Sequence, residues 1–263
     1  MRFAKMHGLG NDYLYVYGEV PADIETLSRK LSDRHFGAGS DGMIFISPSK
    51  KADFKMRIFN ADGSEGKMCG NGIRCVGKYV FEKGYTDKRQ LAIETLSGIR
   101  TLDMSVSRGK VRSVTVDMGP AAAGGEMELS VDGQKVSGTP VSVGNPHFVL
   151  FVDDMEKAPL LTLGPCIERC EAFPEGVNVE FVQVLGDRSL RMRVWERGSG
   201  VTMACGTGAC AAAAAAVRRG YVRPGGAISV VLDGGTLQIA LKEDGTALMT
   251  GPAEWIYEGE TLI

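Results

Sequence analysis

"NADGSEGKMCGNGIRC", residues 60–75, and "WERGSGVTMACGTGAC", residues 195–210, each carry a cysteine straight into a Gly-x-Gly turn. Shifting the chain by 136 residues aligns Met56, Arg57, Phe59, Cys69, Gly70, Gly72, Gly84 and Tyr85 with Met192, Arg193, Trp195, Cys205, Gly206, Gly208, Gly220 and Tyr221. The repeat reaches further with small slips in register. Gly10-Asn11 matches Gly144-Asn145, each before an apolar strand-like run, and Gly98 matches Gly234. A period this long marks a duplicated domain rather than a solenoid unit.

Each half follows one plan. Phe54, Met56 and Ile58 alternate with Lys55 and Arg57, and Leu190, Met192 and Val194 alternate with Arg191 and Arg193, which is the period of a strand with one buried face. A Gly-rich loop and the cysteine follow. Residues 70–83 and 206–219 then read as helices that stop where Gly84 and Gly220 can take a left-handed cap. The expected fold class is α+β, with two pseudo-symmetric halves, each a mostly antiparallel β-barrel around a central helix. The halves are placed at 1–117 and 118–263, with the last strand able to cross back to the first half. The run Ala211 to Ala216 is read as a helix packed tightly against strands, since alanine is the best helix former and permits close approach.

The 263 residues, 44% of them hydrophobic and 24% charged, with a net charge of −2, describe a globular chain with ample core and no basic excess for nucleic acid. No run approaches the roughly 18 apolar residues of a membrane span, and "MRFAKMHGLGNDY" has no signal-peptide apolar stretch, so a cytoplasmic protein with reduced thiols is expected. Among the six cysteines, the spacings C-x5-C, C-x3-C and C-x4-C repeat no zinc knuckle, and no metal is assigned. Cys75, Cys166, Cys170 and Cys210 are read as small core residues.

Cys69 and Cys205 are different. A thiol at the first turn of a helix feels the unpaired amide N–H groups, an effect expected to lower its pKa, and the same groups bind an anion such as a carboxylate. If the halves face each other, a carboxylate held by both helix ends would place one thiol on each side of its α-carbon, the arrangement of a two-base racemase. Preorganised N–H donors address the carbanion charge directly, and no lysine sits in a phosphate-binding context suited to pyridoxal phosphate, so no cofactor is assigned.

"MHGLGNDY" (6–13), "FNADGSEGKMCGNGIRC" (59–75), "GNPHFV" (144–149), "GVNVEF" (176–181) and "ERGSGVTMACGTGAC" (196–210) together resemble the diaminopimelate epimerase family over nearly the whole chain. The resemblance implies interconversion of LL- and meso-2,6-diaminoheptanedioate in lysine and peptidoglycan precursor biosynthesis, an active site in the cleft between two similar halves, no cofactor, and a homodimer as the candidate assembly. Position by position it implies proton transfer by Cys69 and Cys205, with His147 and Glu196 assisting. The backbone at Gly70, Asn71, Gly206 and Thr207 would hold the reacting carboxylate. Asn11, Asn60, Asn145, Asn178, Glu196 and Arg197 would hold the rest of the substrate; asparagine can donate and accept, and arginine forks onto carboxylates.

Plainer readings stand beside these. His147 follows Pro146 and could be a packed core histidine; the asparagines serve turns as readily as ligands; Glu196 and Arg197 could be a solvated pair. Three positions depart from the family pattern: Val201 where an acidic residue is frequent, Trp195 where tyrosine is common, and Gly42 where some members carry a glutamine ligand. A racemase of histidine, proline or hydroxyproline type is the alternative reading. A thiol redox protein would carry its pair within one C-x-x-C, not 136 residues apart.

Overall fold

A computed structural model describes residues 1–262. The chain divides into two compact units, Met1–Val116 together with the segment from Gly251 onward, and Asp117–Thr250.

The first unit runs β1 (Arg2–Gly8), β2 (Asn11–Tyr17), α1 (Ile24–Ser32), β3 (Gly42–Pro48), β4 (Phe54–Asn60), β5 (Glu65–Gly66), α2 (Gly70–Glu82), β6 (Gln90–Thr95), β7 (Gly98–Ser107) and β8 (Lys110–Pro120), the last of which carries the chain out of the unit. The second contains β9 (Ala122–Ala123), β10 (Met127–Val131), β11 (Gln134–Ser142), β12 (Pro146–Phe151), α3 (Leu160–Glu168), β13 (Asn178–Gly186), β14 (Ser189–Glu196), β15 (Gly200–Val201), α4 (Gly206–Arg218), β16 (Ala227–Leu232), β17 (Gly235–Leu241) and β18 (Thr246–Gly251). The chain then returns to the first unit as β19 (Glu254–Glu260), antiparallel to β1.

Most neighbouring strands are antiparallel, and the parallel pairs recur at matching places in the two units. These are β2 with β3 and β12 with β13, then β4 with β6 and β14 with β16. Parallel neighbours need a crossover, and helices supply it. α1 and α3 join the first members of each set, so each unit holds a second helix besides the central one expected from sequence. The predicted alternation is present: Phe54, Met56, Ile58, Leu190, Met192 and Val194 are buried, while Lys55, Arg57, Arg191 and Arg193 are not. The register of one match needs correction. The hairpin loops lie between Thr95 and Gly98 and between Leu232 and Gly235, so Gly98 corresponds to Gly235, not Gly234; one extra residue enters the second unit between its central helix and this turn.

The central helices end as the glycines indicated. Gly84 and Gly220 have φ of 76° and 75°, and the next residues, Tyr85 and Tyr221, donate back to the carbonyls of Val80 and Ala216. This is the hydrogen-bond pattern of a Schellman stop. α2 is buried from Gly70 through Val80. At its start the fully buried Arg74 donates to the carbonyls of Gly70 and, in the returning C-terminal segment, Pro252. α4 packs against β9, β11, β12, β13, β14, β16 and β17, and Ala211 to Ala216 are all buried. Such a helix has no exposed stripe, and methyl side chains let strands approach it on every side. Cys75 and Cys210 are core residues, but Cys166 and Cys170 are only half-buried, flanking the core around Phe148 and Phe181, and the Cys166 thiol donates to Asp132 at 3.0 Å. No helix among the described residues is long and apolar enough to cross a membrane.

Because Ala213 is wholly inaccessible, Ala213→Leu should overpack this helix and cost about 1–3 kcal/mol. Urea denaturation would register this as a lower midpoint at unchanged slope; an unshifted midpoint would contradict the tight packing.

Candidate active site

Both cysteines occupy the N-cap position of their central helix. Cys69 has φ −132° and ψ 116°, Cys205 φ −115° and ψ 112°, and each sulfur accepts a hydrogen bond from the amide three residues on, Gly72 N at 3.3 Å and Gly208 N at 3.4 Å. The backbone ladder begins with Ile73 donating to the Cys69 carbonyl and Ala209 to that of Cys205. The N–H groups of Gly70 and Asn71, and of Gly206 and Thr207, therefore precede the ladder, at the end of the helix where its dipole favours an anion. Glycine stands at the third helical residue in each case, against the movable end of a neighbouring side chain. A Cβ on Gly72 would lie 2.6 Å from Ile44 Cδ1, and one on Gly208 would lie 2.7 Å from Glu180 Oε1.

In the first unit the Cys69 thiol donates to Asn11 Oδ1 at 3.2 Å. The Asn11 amide can accept there because its Nδ2 is turned the other way, donating to Asp41 Oδ2 at 2.8 Å; the Asp12 amide joins the same oxygen at 3.0 Å. Arg34 bridges Asp41 and Asp12, and Lys5 lies 2.9 Å from Asp12. Burial alone would raise the Asp12 carboxyl, but Arg34 and Lys5 outweigh it and hold the group below its ordinary value. Asp41 was not legible as a site residue in sequence. Asn60 stands at the end of β4 with its amide turned to Ser64 Oγ at 3.0 Å and its backbone tied to the same residue, a turn role. At Gly42, with φ of 154°, a Cβ would fall 2.2 Å from the Phe59 carbonyl oxygen. The backbone here leaves no room for a side chain, so a ligand contact from this position is excluded by the approach of β4.

The second unit collects more of the expected residues. His147, 1% exposed on β12, sits opposite Asn178 on β13. Its Nδ1 lies 2.7 Å from Glu180 Oε1 and its Nε2 3.0 Å from Asn145 Oδ1. Asn145 Nδ2 in turn donates to Thr207 Oγ1, which is 3.5 Å from Cys205 Sγ. Glu196, half-buried at the end of β14, accepts from Thr202 Oγ1. Burial pushes the Glu196 carboxyl up, against hydrogen bonds from Thr202 and Cys205. Asn178 ties a loop together, donating to the Pro146 carbonyl and accepting from the Arg197 amide, while the exposed Arg197 side chain donates to the Glu175 carbonyl. Of the two remaining departures, Trp195 donates through Nε1 to Glu168, and Val201 is exposed.

One expectation reverses. The helix end was expected to lower the pKa of both thiols, yet Cys205 is pushed well above the ordinary cysteine value. Burial is the main cause, followed by the charges of Glu196 and Glu180; the Thr207 hydroxyl and Gly208 amide pull the other way and lose. Burial of the thiol, reinforced by two carboxylates, outweighs the partial charge of one helix end. Glu180 was itself unmarked in sequence, although a carboxylate between Val179 and Phe181 in an apolar strand was the available signal.

Residues 3–123 and 139–256 match the sequence model of the diaminopimelate epimerase family. The chain belongs to that family, a group of isomerases. It is similar to the diaminopimelate epimerases of Bacillus licheniformis (51% identity, 100% of this chain and 98% of the relative), Bacillus subtilis strain 168 (50%, 98% and 97%) and Methanococcus maripaludis strain C5 (49%, 99% and 99%). Among solved structures, the fold is shared with a PhzF-family phenazine biosynthesis protein of Bacillus anthracis, at a TM-score of 0.78 and 16% identity over 100% of this chain and 99% of that one. It is shared equally with a probable proline racemase of Agrobacterium radiobacter K84, at 0.77 and 17% over 100% and 93%.

The charge on Glu196 raises Cys205, so the sign of its removal is fixed: Glu196→Gln should move Cys205 alkylation by iodoacetamide to lower pH. Site-resolved mass spectrometry across a pH series measures this, and an unmoved or upward midpoint would contradict the assignment.

Proposed function

We propose that this chain interconverts LL- and meso-2,6-diaminoheptanedioate without an organic cofactor, Cys69 and Cys205 exchanging the α-proton on opposite faces of one carbon, as a step toward lysine and peptidoglycan precursors. The carrying observation is that two cysteines, and only these two of the six, cap the N-termini of the two central helices. A thiolate on one face takes the α-proton, and the electron pair left on carbon delocalises into the carboxylate. The thiol on the other face then delivers its proton to carbon, leaving the configuration inverted and the two sulfurs with exchanged protonation. The amides of Gly70, Asn71, Gly206 and Thr207 are suited to hold the carboxylate as charge builds on it, and such preorganised donors stabilise it without reorganisation.

The sulfurs have different companions. Cys69 donates to a neutral amide, Asn11, whereas Cys205 adjoins Glu196, a carboxylate whose raised pKa suits it to take the Cys205 proton when a thiolate is needed. His147 and Asn145 would supply further donors beside Thr207. Full-length identity near one half to diaminopimelate epimerases favours this substrate over a racemase of the proline type, whose likeness is confined to the fold.

Conversion of the LL to the meso substrate by purified enzyme, followed together with α-deuterium uptake from D₂O, tests the reading. Cys69→Ala and Cys205→Ala should each abolish epimerisation while the fold survives, because one base cannot serve both faces. Near wild-type turnover in either variant would overturn the two-thiol mechanism.

A distal carboxylate needs a fixed cation, and Arg197 is the candidate. Since it is exposed, its loss should remove a charged hydrogen bond of about 1.5–3 kcal/mol, or roughly 10- to 150-fold in kcat/KM for Arg197→Ala. Steady-state kinetics decides, and an effect below threefold would assign the distal carboxylate elsewhere.

A further inference from the structure

Glu180 has no place in the reaction described so far, yet it is the most deeply enclosed carboxylate of the second unit, with 0% exposure. Its Oε1 meets His147 Nδ1 at 2.7 Å, and its Oε2 is buried with no hydrogen-bond partner. Gly208, in the first turn of α4, stands close against this carboxylate, where a Cβ would lie 2.7 Å from Oε1. A buried carboxylate held this way without a compensating proton or cation is strongly unfavourable.

The hydrogen bonds around His147 fix how many protons the pair holds. Asn145 Nδ2 points to Thr207 Oγ1 at 3.4 Å, which leaves its Oδ1, an acceptor only, facing His147 Nε2 at 3.0 Å. With the Asn145 amide turned this way, Nε2 carries a proton. The 2.7 Å contact on the other side of the ring needs a second one between Nδ1 and Oε1. The ring and the carboxylate together thus hold two protons, which makes the pair neutral overall and removes the cost of an isolated buried charge.

We propose that Glu180 is a positioning residue that keeps this second proton on His147 Nδ1, fixes the plane of the ring, and so presents His147 Nε2–H as a donor rather than a base. The other ionisable groups facing the pair are Glu196 on β14, which interacts through charge with both Glu180 and His147, and Cys205 at the start of α4, which interacts with Glu180. The ring nitrogens of His147 are hydrogen-bonded to Glu180 and Asn145 instead, so the proton inventory of the ring is set by Glu180. The consequence for catalysis rests on the epimerisation proposed above: the Nε2–H given to Asn145 Oδ1 keeps Asn145 Nδ2 turned toward Thr207 beside Cys205, and the proton held at Nδ1 leaves no ring nitrogen free to take the proton in transit.

The test reads the ring directly. The chain has three histidines, so long-range ¹H–¹⁵N correlation of imidazole-labelled protein resolves His147, identified by its absence in His147→Asn. Near neutral pH the wild type should show protons on both ring nitrogens of His147, and Glu180→Gln on only one. In the same variant kcat for diaminopimelate should fall by about 10²-fold, within the range for loss of a positioned proton donor, with KM changed less than threefold. Glu180→Asp, which keeps the charge, should restore the second proton and part of the rate. A single ring proton in the wild type, or an unaltered ring in a folded Glu180→Gln, overturns the proposal whatever the activity. Should Glu180→Gln fail to fold, the wild-type and Glu180→Asp spectra decide. Two ring protons in a wild type that does not turn over diaminopimelate would support the proton assignment and refute the epimerase reading instead.

Discussion

A helix that begins inside a sheet must place its first amide groups somewhere, and in both units a cysteine sulfur takes the third of them. Sulfur is a weaker acceptor than the oxygens usual at an N-cap, so the cap contributes little to stability compared with serine or aspartate. Much of the local structure is consistent with keeping it there. Glycine follows at Gly72 and Gly208, where a Cβ would press on the end of the Ile44 or Glu180 side chain. Arg74 braces the first turn of α2 through the Gly70 carbonyl. The result is a thiol and a set of backbone donors side by side, delivered by the same turn.

The two centres differ in what surrounds the sulfur, and the difference is electrostatic. In the first unit Arg34, Lys5, Asp12 and Asp41 pair with one another and fix the orientation of the Asn11 amide that meets Cys69. Around Cys205 burial first, and after it the charges of two carboxylates, raise the thiol. A motif duplicated in sequence has thus been placed in two different fields. At the second centre the simple expectation for a helix-terminal thiol is reversed.

Glycine carries a parallel lesson at Gly42. Seen against its family, the position looks like a missing side-chain contact. In the fold it is a place where β4 passes too close for a side chain, with Phe59 O where a Cβ would stand. Absence of a ligand residue and presence of a packing constraint are the same fact viewed at two levels.

The sequence alone determined the duplication, the strand faces around Met56 and Met192, the central helices with their glycine stops, and the cysteines at the helix starts. These are legible because strand alternation, left-handed caps and Gly-x-Gly turns are local, each set within a few residues. It also marked His147, Glu196 and Asn145, through motifs. Tertiary structure decided what periodicity cannot encode: that α1 and α3 bridge parallel strands, that Gly98 answers to Gly235, and that the C-terminal strand rejoins the first unit. It alone joined Asp41 to Asn11 and Glu180 to His147, partners 30 and 33 residues apart. The sign of the Cys205 shift depends on burial and on charges brought in from β13 and β14, quantities that exist only once the strands have closed around the helix.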